Sequence, residues 1–196
     1  MSAERPTRRG ISTRLLLAAA AIGVAGGVVM IPVVFLQVLV AATIPILYTA
    51  FVGTFVLGPV IAQALLRHPG AAIIAGVVAG LATAPFTPRS ILAIVPMALL
   101  GGLYELAFGV TGYRTWPRWR WFAASGLMSL VNLAGVWIVF DLGSFPLWIG
   151  LTAAAIIPVS FLAFTLAGIA LASRLRAAGV GRSAPALSAT PSRDAR

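Results

Sequence analysis

Residues 90–113 read SILAIVPMALLGGLYELAFGVTGY, an apolar run broken by a single carboxylate, Glu105. The acidic residues of the chain are Glu4, Glu105, Asp141 and Asp194, and only Glu105 lies deep inside an apolar run. A carboxylate within a membrane span costs about 2.5–3.5 kcal/mol on insertion scales, so it faces a partner or a polar cavity. Glu105 is therefore the point from which the rest of the chain is read.

The 196 residues are 60% hydrophobic and 9% charged, with a mean hydropathy of +1.03. A soluble domain is about one quarter charged, so the composition is that of an integral membrane protein. There is no cysteine, which excludes disulfides and thiol chemistry, and the lone His68 leaves no zinc-type ligand set. The net charge of +10 comes entirely from arginine. These arginines are spread over tails and turns instead of one folded face, which argues against nucleic-acid binding and for a role as topology signals.

Taken in order, the chain predicts an all-α bundle of six transmembrane helices. A basic tail (1–12) precedes a membrane domain (13–173), and a basic, disordered tail (174–196) follows. The spans fall at about 13–34, 44–66, 71–84, 90–113, 121–140 and 147–172, since about 20 apolar residues cross the hydrocarbon core. Thr7–Ile11 faintly resembles a twin-arginine export signal, but the apolar run behind it is too long for one. Residues 35–43 are expected to form an outer loop or re-entrant segment, Pro59 a kink, and RTWPRWR (114–120) an interfacial loop. Apart from Arg89, every arginine falls on the side of the two termini. The positive-inside rule then places both termini in the cytoplasm of a multi-pass plasma-membrane protein.

Two constellations stand out. On the first span Ala19, Gly23 and Gly27 recur at four-residue spacing, with Ala21 and Ala25 in a second register. Small-residue stripes let helices approach closely in lipid, whether within a bundle or between subunits. At the outer side Gln37, Thr43 and Tyr48 flank the first loop, Phe86, Thr87 and Arg89 the second, and Trp137, Asp141, Phe145 and Trp148 the third. Glu105 and Asn132 are expected at comparable depth on adjacent antiparallel spans. Amide, carboxylate and aromatic walls suit a planar, nitrogen-rich ligand. The competing readings are interfacial anchors for the tryptophans, an interhelical bond for Asn132 and an arginine partner for Glu105. Enzyme motifs are missing, and without lysine a phosphate-binding P-loop is impossible, so the chain is not expected to hydrolyse ATP or to carry a cofactor.

Three stretches, RLLLAAAAIGVAGGVVMIP, LLRHPGAAIIAGVVAGLATAPFTP and LLGGLYELAFGVTGYR, resemble the S component of an energy-coupling-factor (ECF) vitamin transporter, closest to the hydroxymethylpyrimidine/thiamine type. The resemblance covers roughly 14–176. It implies a six-helix bundle that binds a vitamin at its outer face. It also implies docking on a transmembrane coupling subunit that is served by two ATPase subunits. Carried onto this sequence, it implies docking through Ala19, Gly23 and Gly27 or through the Ala21/Ala25 register. It gives Glu105 the aminopyrimidine, with Asn132 adding a hydrogen bond and Trp137, Tyr48 and Phe86 forming an aromatic wall beside Gln37, Thr87 and Trp148. The alternatives are an S component for another small ligand, or a membrane scaffold assembled through Gly/Ala helix faces.

Overall fold

The computed structural model describes residues 12–43, 45–87, 90–113 and 116–180. Thr7–Ile11, Arg89, Arg114 and the tail beyond Val180 lie outside the described residues, and so does the side chain of Thr43. The described residues form seven α-helices and short 3₁₀ segments, without strands. The helices are α1 (Thr13–Thr43), α2 (Pro45–Phe51), α3 (Leu57–Leu66), α4 (Ala71–Thr83), α5 (Ile94–Gly109), α6 (Arg118–Val139) and α7 (Leu147–Ala177). Four stretches are long and apolar enough to cross a membrane: 13–40, 46–66, 118–139 and 147–177. The apolar helices around α4 and α5 are shorter.

Several expected boundaries move. The first span does not end near residue 34: α1 runs on through Pro32 for 31 residues, so residues 35–43 are helix and not an outer loop. The reason is its buried stripe, Ala19, Gly23, Gly27, Met30, Val34, Gln37 and Val40, which keeps three- and four-residue spacing straight past the proline. Proline is tolerated in membrane helices when neighbouring helices hold the segment. The second span breaks at Val52–Val56, a 3₁₀ stretch, and Pro59 lies in the first turn of α3, where its missing N–H costs nothing. The fourth span is shorter than 90–113: a 3₁₀ turn at Ser90–Ala93 leads into α5, which ends at Gly109. The loop 114–120 is shorter too, because α6 already starts at Arg118 behind Pro117.

Small residues set the closest approaches. α4, AAIIAGVVAGLAT, packs parallel to α1 and antiparallel to α5. A β-carbon on Gly23 would lie 2.7 Å from the Ala75 carbonyl oxygen, and one on Gly27 would lie 2.7 Å from the Ala82 β-carbon. On the other side of α4, a β-carbon on Gly101 would come within 2.5 Å of the Ala72 carbonyl oxygen. In lipid such intimate packing replaces the hydrophobic effect as the source of association. α3 and α7 complete the bundle, with Val60 seated against Gly168. The apolar core holds Tyr104, Phe108, Met128, Ile157 and Phe161, all essentially sealed from outside.

Gly101→Ala is expected to lower stability by about 1–3 kcal/mol through overpacking. Gly102→Ala, whose β-carbon would meet only Ile73 atoms 3.9 Å away, should be nearly neutral. Thermal unfolding of the two variants in the same detergent checks the contrast.

Candidate functional site

Glu105 and the outer aromatic set occupy opposite ends of the bundle. α4 and α6 begin at the Glu105 end, and α3, α5 and α7 finish there. At that end the chain turns through Arg67, in the left-handed region at φ 47°, and Gly70, at φ 89°. No side chain of its own caps α4, and its first turn carries no acidic residue. Its leading N–H groups must still find acceptors, because Ala71 and Ala72 are fully buried and water cannot serve them. Glu105 provides them from α5. Its Oε2 accepts from the Gly70 N–H at 2.8 Å, and its Oε1 accepts from the N–H groups of Ala72 at 2.9 Å and Ile73 at 3.2 Å. The Ala71 N–H goes to the His68 carbonyl at 3.3 Å. The Tyr113 hydroxyl donates to Oε2 at 3.3 Å from the turn after α5. Every donor of the first turn is thus accounted for.

The carboxylate is 7% exposed and meets the positive end of the α4 dipole. An aromatic cluster closes the end beneath it. Phe108 stacks on Trp116 at 4.6 Å and meets Trp121 at 4.7 Å, and the Arg67 guanidinium lies 5.8 Å above Trp116. The expected pairing of Glu105 with Asn132 is not seen. Glu105 is one turn before the end of α5, whereas Asn132 is nearly four turns into α6, so the two differ in depth by roughly 15 Å. The helix does begin late, next to Pro96, but it also ends early, and Glu105 stays within its last turns.

The outer set divides in two. Tyr48 and Trp137 lie where α2, α6 and α7 meet, and Trp148 stands exposed in the first turn of α7. Tyr48 lies 5.2 Å from Phe140, ring centre to ring centre. Trp137 lies against Gly150, whose β-carbon would sit 2.9 Å from the indole. Between these helices Ile46, Thr49, Val136, Phe140, Leu142, Ile149 and Ala153 line a cleft of about 10 Å³. That is close to the minimum for one water. Asp141, in the left-handed region at φ 46°, stands at its rim and is the one described acid at this end. Phe86 and Thr87 lie elsewhere, in the turn after α4, which packs on α1 and on Ser90–Ala93. Thr87 spends its hydroxyl on the Ala84 carbonyl. Gln37 is buried on α1, and its Nε2 has no partner; the same holds for Asn132 Oδ1 and for both amide atoms of the fully buried Gln63.

The docking stripe also needs correction. Ala19, Gly23 and Gly27 are buried, the two glycines directly against α4, so they are unavailable to a second protein. Ala21 and Ala25, in the other register, face outward with Val24 and Val28. The cleft residues Thr49, Phe140 and Ala153 were not singled out from sequence. Only the adjacency of Phe140 to the span-ending Asp141 hinted at them.

Glu105→Gln turns one acceptor into a donor facing the Gly70 N–H. It should cost about 2–3 kcal/mol of stability, and Tyr113→Phe should cost about 1 kcal/mol. Melting temperatures that leave Glu105→Gln within error of the parent would refute the capping role.

No curated protein sequence matches the chain. The crystal structure of an S-component of an ECF transporter has the same fold, with a TM-score of 0.77 at 22% identity, over 86% of this chain and 87% of that one. A family model described as the permease component of an ABC-type cobalt transport system matches residues 15–131. With more than half of its length matched, the chain belongs to that family of transport-system permease components.

Proposed function

We propose that this protein is the substrate-binding membrane subunit of an ATP-driven uptake transporter, an ECF S component. On this reading it takes a small organic ligand at the Trp137 end and docks on a transmembrane coupling subunit served by two ATPase subunits. The observation that carries this reading is the permease-family match joined to an S-component fold over nearly the whole chain. The reading has six passes with both termini cytoplasmic in a bacterial plasma membrane. In support, Arg14, Arg67, Arg118, Arg120, Arg174 and Arg176 all lie at the Glu105 end, which the positive-inside rule makes the inner one. The chain itself catalyses nothing in this scheme and needs no cofactor.

The family description names cobalt. A metal cargo needs several nitrogen, sulfur or carboxylate donors held together, and among the described residues no three His, Asp or Glu side chains come together. The cleft walls are apolar, with Phe140 as their aromatic ring, and Thr49 turns its hydroxyl to the Ile46 carbonyl. Such walls suit a flat organic ring. Thiamine or its hydroxymethylpyrimidine moiety is the ligand we propose to test first. The aminopyrimidine contact would then fall to Asp141 and not to Glu105, whose oxygens are taken by α4. Trp137 and Tyr48 would supply the stacking surface, with Trp148 at the rim.

Fluorescence titration of the detergent-solubilised protein with thiamine and hydroxymethylpyrimidine is the test. Saturable quenching is expected, and Asp141→Asn should weaken binding about tenfold, equivalent to some 1.4 kcal/mol. Absence of any response in folded protein would remove thiamine and its pyrimidine from consideration. For the partner, Ala25→Leu should abolish co-purification with a coupling subunit at unchanged melting temperature. Gly23→Leu should instead unfold the α1–α4 contact. Retained co-purification of Ala25→Leu would exclude the outward register as the docking face.

A further inference from the structure

The second span is interrupted at Val52–Val56, in the bundle interior, where Val52, Gly53, Thr54 and Val56 are all buried. A 3₁₀ interruption in mid-helix marks either strain or a hinge. Here its cause lies on another helix. The Ser160 hydroxyl of α7 accepts from the Gly53 N–H at 3.0 Å and donates to the Ala50 carbonyl at 2.7 Å. Ala50 and Gly53 are three residues apart, the two groups that a tight helical turn would pair directly. The inserted hydroxyl stands between them, and a side chain inserted into the helical ladder is a known cause of local helix irregularity. Gly53 permits the approach, since a β-carbon there would collide with the Ser160 carbonyl. Ser160 also follows Pro158, which gives α7 its own irregularity at the same level.

One group beside this clasp is unsatisfied. Thr54 is 3% exposed and its Oγ1 has no partner. In a regular helix a threonine hydroxyl donates to the carbonyl four residues back. For Thr54 that carbonyl is Ala50, the one Ser160 holds. We propose that Val52–Val56 is a two-position hinge in which Ser160 and Thr54 compete for the Ala50 carbonyl, its setting fixing how closely α2 approaches α6 and α7. In the clasped position Ser160 holds both Gly53 and Ala50 and Thr54 is left over. In the released position Thr54 takes Ala50, the Gly53 N–H returns to the Thr49 carbonyl, and Ser160 donates to the Ile156 carbonyl of its own helix. Every group has a partner in that second arrangement, so the exchange leaves no buried donor stranded. α2 carries Ile46 and Thr49, which form one wall of the cleft; in this proposal release of the clasp moves that wall outward and opens the cleft, and the clasp holds it closed. That this opening admits a ligand rests on the function proposed above; the hinge itself does not.

The two hydroxyls give opposite expectations, which a purely structural role would not. Ser160→Ala removes the clasp and favours the open cleft. Thr54→Val removes the competitor at constant shape and favours the closed one. The chain lacks cysteine, so Ala153→Cys, at a cleft-wall position 1% exposed, reports opening through its reaction with a water-soluble methanethiosulfonate. Relative to Ala153→Cys alone, the rate should rise about fivefold with Ser160→Ala and fall about fivefold with Thr54→Val, the shift that one ordinary hydrogen bond commands. Rates moving in the same direction, or neither moving in folded protein, would overturn the hinge. Should Ser160→Ala fail to fold, Thr54→Val decides alone: slower labelling supports the hinge, and unchanged or faster labelling removes it. No ligand enters this assay. A later finding that thiamine does not protect the introduced thiol would therefore count against the ligand and leave the hinge result standing.

Discussion

A helix whose first residues are buried needs acceptors for its leading N–H groups, and for α4 the Glu105 carboxylate is that acceptor. Three backbone donors and a tyrosine hydroxyl converge on two oxygens. Because the cap comes from α5 and not from α4 itself, the first turn of α4 is satisfied only once the two helices have docked. Local structure here depends on tertiary structure. The cap also fixes the axial register of α4 on α5, which brings Gly101 under Ala72 and Gly76 under Met97. α1 then closes on the opposite side of α4 through Gly23 and Gly27. The α1–α4–α5 layer thus follows from one buried charge and a row of missing side chains.

Hydrogen bonding is satisfied unevenly across the bundle. Around Glu105 the first turn of α4 is fully paired, Arg120 bonds Thr111, and Arg176 reaches the Ala64 carbonyl. Yet Gln63, in the last turn of α3 at that same end, has both amide atoms without a partner, and Gln37, Thr54 and Asn132 each keep one such buried polar atom elsewhere. An unmade hydrogen bond in a low-dielectric interior costs about 1–3 kcal/mol. Each of these orphaned atoms marks a place where an alternative partner would lower the energy, Thr54 beside the Ser160 clasp among them. Local stability is commonly lowest where binding and motion occur.

How much of this was legible in the sequence depends on the kind of signal. Apolar run lengths and arginine placement gave the helices and the orientation that the six-pass reading uses, because those signals are additive along the chain. The extension of α1 through Pro32 was not legible: a proline reads as a break until the stripe Met30–Val34–Gln37 has a neighbour to pack on. Glu105 was found for the right reason, the cost of a buried charge, but its partner was not. Nothing in the string HPGAAII announces that α4 lacks a cap of its own which a residue 33 positions later in the chain supplies. The two small-residue registers of α1 posed a similar problem. Ala19–Gly23–Gly27 and Ala21–Ala25 are equally plausible packing faces until α4 is in place to occupy the first.

On the proposed function, the arrangement also constrains how a ligand in the cleft would be sensed by a coupling subunit docked on α1. The cleft is walled by α2, α6 and α7, whereas the outward Ala21/Ala25 face belongs to the layer built on α4. What joins them is the second span. α2 borders the cleft, α3 lies against α1 where Gly26 faces Gly58, and Val52–Val56 is the only covalent link between α2 and α3. Coupling between distant sites needs a physical element with two arrangements that both sites can bias. A rigid, unbroken second helix would pass any movement of α2 straight into α3 and so into α1. With a hinge between them, α2 can open or close while α3 remains packed on α1, α4 and α7. The clasp by Ser160 then decides whether the two halves of the second span move together or separately, alongside the direct packing of α2 on α1. A single hydroxyl on α7, remote from both the Glu105 cap and the exposed face of α1, is therefore placed to set how strongly the two ends of the molecule are coupled.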